Sequence, residues 1–146
     1  IDLSGHDVAR KLLILIREMG ISMEFSEIPI PSFLPEKAIN KKSINEFLDC
    51  IRAENKSFEM MRLKTLEKNR TLRYIASYEN SKAKVGLEEI DQFHPFFHLK
   101  GSDNIIAFTT ERYKETPLVI KGPGAGASVT AAGVLADIIK TAHYIL

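Results

Sequence analysis

The stretch DLSGHDVARKLLILI, residues 2–16, begins with charged residues and continues as an almost wholly apolar segment. Ser4 is of a type favoured at a helix N-cap, and Gly20 is of the type favoured just after a helix end. Apolar residues between them recur at the spacing of one helix face, at Val8, Leu12, Leu15, Ile16 and Met19. The pattern predicts a helix from Ser4 to Met19. Because residues 13 and 14 are apolar too, we expect this helix to be buried on several sides.

Asp7 and Lys11 lie four residues apart in this helix, so their side chains share one face, with Cβ atoms roughly 5–6 Å apart. Asp2 precedes the N-cap and can fold back toward the same end of the helix. A lysine ammonium beside carboxylates can hydrogen-bond or protonate a carbonyl oxygen, while the carboxylates can hold a substrate ammonium group. The alternative is an ordinary surface ion pair that adds roughly a few tenths of a kcal/mol to the helix, and spacing alone favours it.

The rest of the chain alternates between helix and strand signals. Ser43 and Glu46 form a capping-box pattern that opens a helix to Ile51, and a second helix follows at residues 57–68. Strands are predicted at residues 71–78, 83–90, 104–113 and 117–121, the first two joined by the polar turn ENSK. These signals predict a domain that contains both helices and strands.

The segment GPGAGASVTAAG, residues 122–133, is a glycine-rich turn that leads into a helix. Gly124 and Gly126 supply a G-x-G pattern, but the third glycine and the following acidic residue of a dinucleotide fingerprint are missing. Glycines before a helix allow close backbone approach, and the free N–H groups can receive a phosphate. The structural alternative is a tight strand-to-helix turn with a small-residue packing face, and the segment by itself favours that alternative.

Composition is that of one soluble globular domain: 146 residues, 45% hydrophobic and 27% charged, with a net charge of +1. This near balance argues against nucleic-acid binding, which requires a concentrated basic face. The apolar run at residues 12–16 is far shorter than the roughly 20 residues of a membrane span. The single cysteine, Cys50, fits a reducing compartment, so we expect a cytoplasmic protein. No metal site is expected, because the histidines lack a second ligand at suitable spacing.

The two ends of the chain resemble the homoserine dehydrogenase family. DLSGHDVARK resembles the signature D-L-x-G-x-D-V-A-R-K, and GPGAGASVTAAGVLADI resembles the C-terminal pattern G-x-G-A-G-x-x-V-T-A-x-G-V-x-A/G-D. The middle segments LRYIASYENSKAKVGLEEI and HPFFHLKGSDNIIAFTTERY look most like the form fused behind an aspartokinase. The resemblance covers essentially the whole chain. Together with the start at isoleucine instead of methionine, it leads us to expect a fragment of a bifunctional enzyme.

The resemblance implies an NAD- or NADP-dependent interconversion of L-aspartate 4-semialdehyde and L-homoserine, on the route to threonine and methionine. Lys11 matches the proton donor to the carbonyl oxygen, Asp7 the substrate-binding aspartate, and Asp2 an acidic residue of the same pocket. The cofactor contacts implied are Gly126, near the nicotinamide, with Gly124 and Thr130 as its neighbours. His6 departs from the usual residue at its position, and we expect it to alter little.

The resemblance also implies how the chain is divided. Residues 1–116 would form the substrate-binding and dimerisation domain, an α+β fold with helices on one face of a mixed, mainly antiparallel sheet. Residues 117–146 would return to a Rossmann-type nucleotide domain that is otherwise absent. We therefore expect the isolated chain to be inactive, and the enzyme to be a homodimer or higher oligomer acting on a small molecule. Two other interpretations stay open: a non-catalytic regulatory or dimerisation module, and a phosphate-binding module that uses the glycine turn.

Overall fold

The computed structural model describes residues 2–41, 43–101 and 103–145; the side chain of Asp2 lies outside that description. The helices are α1 (His6–Glu18), α2 (Glu36–Ile39), α3 (Ile44–Ala53), α4 (Asn55–Glu67) and α5 (Ala127–Ile145), with short 3₁₀ turns at Asp2–Ser4 and Phe25–Glu27. The strands are β1 (Arg70–Glu79), β2 (Lys82–Asp91), β3 (Asp103–Phe108) and β4 (Leu118–Pro123). The predicted α+β class is confirmed. The chain divides into two compact units, Ile1–Gln92 and Phe93–Leu146.

Helix α1 begins and ends close to the predicted residues. The N-cap is Gly5, with φ +76°, and not Ser4 as predicted; Ser4 Oγ instead hydrogen-bonds the His6 side chain. At the other end, Gly20 has φ +80° and its N–H donates to the Arg17 carbonyl at 2.9 Å, which is the glycine C-terminus that was predicted.

Helix α1 buries only one face. The buried residues are Ala9, Leu12, Leu13 and Ile16, at the i, i+3, i+4 and i+7 positions of a single stripe. The expectation of burial on several sides is wrong, because Ile14 is rotated away from that stripe and its side chain is 60% exposed. The polar start of the helix therefore continues into an accessible face.

The first unit packs this stripe against a β-hairpin. Strands β1 and β2 are antiparallel, with pairs from Arg70↔Asp91 to Glu79↔Lys82. The connecting residues Asn80 and Ser81 have φ of +50° and +62°, the left-handed conformation that tight two-residue hairpin turns require. The hairpin predicted around ENSK is thus confirmed. The core joins the α1 stripe to Ile28, Ala83 and Val85, with Tyr74, Ala76 and Tyr78 of β1 packed against it.

Strands β3 and β4 form the sheet of the second unit, paired antiparallel from Asp103↔Pro123 to Phe108↔Leu118. Within the residues that the structure describes, these strands thus make two two-stranded sheets, where the sequence predicts a single one. Strand β3 ends at Phe108, five residues before the predicted end at Tyr113. This pairing joins segments on either side of residue 116, and the functional division at that residue stays a prediction. In α5 none of the described residues is buried.

Glu89 connects helix α4 to the hairpin. Its carboxylate accepts hydrogen bonds from the Thr65 hydroxyl at 3.4 Å and from Lys68 Nζ at 2.9 Å, and Arg70 Nη1 lies 4.0 Å away. Thr65 is only 1% exposed, so this contact lies at the edge of the packed interior. The hydrogen bond from Lys68 is the main cause that lowers the pKa of Glu89.

This network makes stability depend on pH. A carboxyl group whose pKa is lower in the folded than in the unfolded state adds stability above its unfolded pKa and loses it as the pH falls. We expect the wild type to lose more thermal stability than Glu89→Gln between about pH 6 and about pH 3. Lys68→Met removes the partner and should flatten the pH profile in the same way. Equal pH slopes for the wild type and Glu89→Gln would contradict this assignment.

Candidate functional site

The first candidate site is the ion pair at the start of α1. Lys11 Nζ lies 2.9 Å from Asp7 Oδ2, and the two side chains are 58% and 61% exposed. The structure therefore brings the predicted ammonium and carboxylate together on an accessible face. An exposed pair of this kind contributes roughly 0–1 kcal/mol to stability, so the pair adds little to folding.

The third predicted member of this site, Asp2, is described only by its backbone. Residues Asp2–Ser4 form a 3₁₀ turn directly before Gly5, so the main chain of Asp2 lies next to the start of α1. The Asp2 side chain lies outside the described residues. Its participation in the site stays a prediction.

A different face of α1 contacts the segment that follows the helix. The His6 ring stacks on the Phe25 ring with centroids 5.7 Å apart, and His6 Nδ1 lies 2.7 Å from Ser4 Oγ. The Arg10 guanidinium carbon lies 5.9 Å from the centroid of the same Phe25 ring, a cation–π distance. Sequence reasoning missed this cluster, because the partner Phe25 lies beyond the helix and carries no motif.

Arg17 extends this attachment toward the end of the helix. Its Nε and Nη2 atoms donate to the Met23 carbonyl at 3.1 and 2.9 Å. His6, Arg10 and Arg17 therefore hold residues 23–25 along one side of α1. The other side, with Asp7, Lys11 and Ile14, remains accessible to a small molecule.

Gly5 fixes how the chain enters α1. Its φ of +76° belongs to the left-handed region, where a side chain is strained. A Cβ atom at this position would overlap the Tyr74 hydroxyl and lie 2.9 Å from Ile30 Cγ2. Tyr74 is half-buried, and burial raises the pKa of its phenol. Position 5, in the DLSG segment, thus requires glycine for both a conformational and a steric reason. Neither reason was visible in the sequence.

The second candidate site is the glycine turn before α5. Gly126 has φ +137°, and among the described residues no heavy atom beyond its chain neighbours lies within 4 Å of where its Cβ would be. The Thr130 N–H donates to the Gly126 carbonyl at 3.0 Å in the first turn of the helix. The structure thus brings Gly126 and Thr130 together at a helix N-terminus whose backbone can be approached closely.

Gly124 lies under the side chain of Asn104. A Cβ atom at Gly124 would overlap the Asn104 side-chain amide, which belongs to strand β3. Both residues line a recess of about 240 Å³ formed with β4. Gly124 is therefore required for a close packing contact with Asn104 within the second unit, while a role in cofactor binding stays a prediction.

A functional site can also be a cluster of side chains that binds a metal ion, or a helix that spans a membrane. Within residues 2–41, 43–101 and 103–145, no group of three or more histidine, cysteine, aspartate or glutamate side chains is placed to hold a metal ion. In the same residues, no helix combines the length and the apolar character that crossing a membrane demands.

Comparison with known proteins gives concordant matches. The family model described as homoserine dehydrogenase matches residues 1–139. A bifunctional aspartokinase/homoserine dehydrogenase 2 from Zea mays is 44% identical over 146 residues, covering 99% of this chain and 16% of the relative. A homoserine dehydrogenase from Saccharomyces cerevisiae is 42% identical over 145 residues, covering 97% of this chain and 40% of the relative.

A solved structure matches the fold closely. The crystal structure of a protein of unknown function from Candida auris superposes with a TM-score of 0.86 at 41% identity, covering 97% of this chain and 40% of that one. The chain thus spans well under half the length of the proteins it matches. Because the family model covers almost all of its residues and the relatives exceed 40% identity, the chain belongs to the homoserine dehydrogenase family of oxidoreductases, as its two end motifs predicted.

Proposed function

We propose that this chain supplies the substrate-binding and proton-donating part of a homoserine dehydrogenase, which interconverts L-aspartate 4-semialdehyde and L-homoserine with NAD or NADP. The observation that carries the proposal is the 2.9 Å pair of Lys11 and Asp7 on the accessible face of α1. Family membership supports the reaction class, and the pair supplies a charged donor and acceptor at one place.

In the proposed reaction Lys11 handles the proton at the carbonyl oxygen. Its Nζ donates a hydrogen bond to the aldehyde oxygen of the semialdehyde, and then a proton as that oxygen becomes the hydroxyl of homoserine. In the reverse direction the amine takes the proton back. Asp7 orients the ammonium through the ion pair and, with Asp2, accepts hydrogen bonds from the substrate amino group. A positioned proton donor contributes roughly 10²- to 10⁴-fold to such a rate.

The residues of the glycine turn fit a nicotinamide cofactor. The open space beside Gly126 and its left-handed backbone allow a flat ring to approach the main chain, and Thr130 stabilises the turn through its N–H. When bound, the cofactor would supply the hydride in the direction of reduction. Gly126 would hold its nicotinamide end, with Gly124 and Thr130 beside it.

The first test uses the 146-residue chain by itself. We expect no reduction of aspartate semialdehyde above background, because hydride transfer requires a nicotinamide held in near-attack geometry. This chain spans only 40% of the yeast relative and lacks the dinucleotide fingerprint. The measurement is the oxidation of NADPH and of NADH, followed by the absorbance of the reduced nicotinamide, with the full-length protein as the positive control. Turnover by the isolated chain would show that the cofactor site is wrongly placed.

The wider setting is also proposed. We infer a place in threonine and methionine biosynthesis, a homodimer or higher oligomer, and fusion to an aspartokinase. The bifunctional maize relative and the yeast homoserine dehydrogenase match almost equally well, so an aspartokinase assay of the full-length protein decides the last point. The cytoplasmic location stays a prediction, since the maize relative is chloroplastic by name.

A non-catalytic assembly module is the second candidate. Exposed apolar side chains on α5 favour this candidate. Leu135 and Ile138 are 57% and 60% exposed, and exposed apolar surface of this kind is typical of protein interaction sites. The two candidates differ in what they require of Lys11. An assembly module predicts that substituting Lys11 leaves every activity of the full-length protein unchanged.

A further inference from the structure

Tyr74 contacts the backbone at the point where the chain enters α1. It lies on β1 opposite Leu87, and its ring packs against the hydrophobic core and against Phe33, with centroids 5.6 Å apart. Its ring carbon Cζ would lie 2.8 Å from a Cβ at Gly5, and its hydroxyl oxygen lies closer still. The phenol is thus anchored by the hairpin and ends against Gly5.

Gly5 is the junction between the groups that the proposed function uses. It separates the 3₁₀ turn that carries Asp2 from the helix that carries Asp7 and Lys11. Its carbonyl accepts the helical hydrogen bond from the Ala9 N–H at 3.0 Å, and it provides no side-chain cap. The position of this one residue therefore sets the direction of the first helical turn relative to the preceding turn.

We propose that the Tyr74 hydroxyl is a positioning group for substrate binding, which holds Gly5 and through it the 3₁₀ turn of Asp2 against the helix that carries Asp7 and Lys11. The inference rests on the proposed function. A phenylalanine would fill the core equally well, but it would leave the space of one oxygen atom beneath Gly5. Because the chain could then settle into that space, the 3₁₀ turn of Asp2 would shift relative to the helix that carries Asp7 and Lys11, and small displacements of binding groups are costly.

Burial keeps the Tyr74 phenol uncharged. It raises the pKa of the phenol, so the hydroxyl remains protonated throughout the pH range in which the enzyme would be assayed. Tyr74 therefore acts by occupying space beside Gly5, without changing its charge. This separates it from Lys11, whose proposed role is proton transfer.

The experiment compares Tyr74→Phe with Tyr78→Phe in the full-length protein. Tyr78 lies on the same face of β1 and packs against the same core, about 13 Å further along the strand. We expect Tyr74→Phe to raise KM for homoserine about tenfold with kcat within about threefold of the wild type. Tyr78→Phe should change both by less than about twofold, and the unfolding midpoints of the two variants should agree within about 3 °C.

A double variant tests whether Tyr74 acts through Gly5. If it does, adding Tyr74→Phe to Gly5→Ala lowers kcat/KM by less than Tyr74→Phe does by itself, because the turn is already displaced. The Tyr74 and Tyr78 comparison decides the matter if Gly5→Ala does not fold. The inference is overturned if Tyr74→Phe behaves like Tyr78→Phe or if the fold-changes multiply. A wild type that does not oxidise homoserine overturns the proposed function and this inference together.

Discussion

Lys11→Ala in the full-length protein should lower kcat for homoserine oxidation about 10²- to 10⁴-fold, the range expected for loss of a positioned proton donor. The effect should fall on turnover, because Lys11 interacts with the reacting oxygen in this proposal. Affinity for NADP should stay within about twofold of the wild type. Steady-state kinetics and a cofactor titration on the same preparation measure the two quantities.

The matched control for Lys11 is Arg62→Ala. Arg62 also forms an intrahelical ion pair, at 2.6 Å from Glu59 Oε1 in α4, and that pair is about equally exposed. Removing either cation removes an exposed surface ion pair, which contributes little to stability, but only Lys11 belongs to the proposed site. Equal kcat values for the two variants would show that the Lys11–Asp7 pair is an ordinary surface pair and would favour the assembly module.

Gly5→Ala should lower the free energy of unfolding of the first unit by about 3 kcal/mol, the sum of a conformational and a steric cost. A left-handed conformation costs a non-glycine residue roughly 1–2 kcal/mol, and forcing a methyl group into filled space costs roughly 1–3 kcal/mol more. Here the methyl group would meet both Tyr74 and Ile30. Urea unfolding of the full-length protein, followed by hydrogen exchange of the α1 and β1 amides, measures the loss where it arises.

Gly20→Ala separates the two contributions. Gly20 has φ +80°, close to that of Gly5, but no heavy atom in the described part of the chain, its chain neighbours apart, lies within 4 Å of the position that a Cβ would take. Its substitution should therefore cost only the conformational part, roughly 1–2 kcal/mol. Gly5→Ala could lower the free energy of unfolding by no more than Gly20→Ala does. In that case the Tyr74 side chain moves aside at little cost, and the positioning role proposed for that tyrosine loses its basis.

Lys11 and Gly5 lie in one small region, but their surroundings differ. Lys11 and Asp7 are exposed and contribute little to folding, whereas Gly5 is enclosed by side chains from elsewhere in the unit. Substituting Lys11 should affect chemistry, and substituting Gly5 should affect stability and, through the turn, chemistry as well. Comparing the two substitutions therefore separates the catalytic role of Lys11 from the structural role of Gly5.

Local interactions were predictable from the sequence. The Ser43 N-cap is confirmed, with its hydroxyl accepting from the Glu46 N–H at 3.2 Å, because a cap needs only neighbours three residues apart. The hairpin turn at Asn80 and Ser81 is confirmed for the same reason. The Asp7–Lys11 pair follows from the helical repeat once α1 forms.

Packing between distant segments was not predictable in the same way. Helical periodicity cannot tell which side of an apolar helix receives a partner, and so Ile14 was expected to be buried. Strand patterns in one chain do not specify which hairpins join, and the strands form two sheets. The contacts of Phe25 with His6 and Arg10 carry no sequence motif, because any aromatic ring of suitable reach makes them.

By itself the sequence determined the family, the helix that carries the proposed catalytic lysine, and the hairpin beneath it. These depend on the residue order and on interactions between near neighbours. Only the tertiary structure decided that Asp7 and Lys11 stay accessible while His6 and Arg10 contact Phe25, and that Tyr74 ends against Gly5. Such choices are settled by how segments far apart in the chain exclude one another from the same space, which no local pattern records.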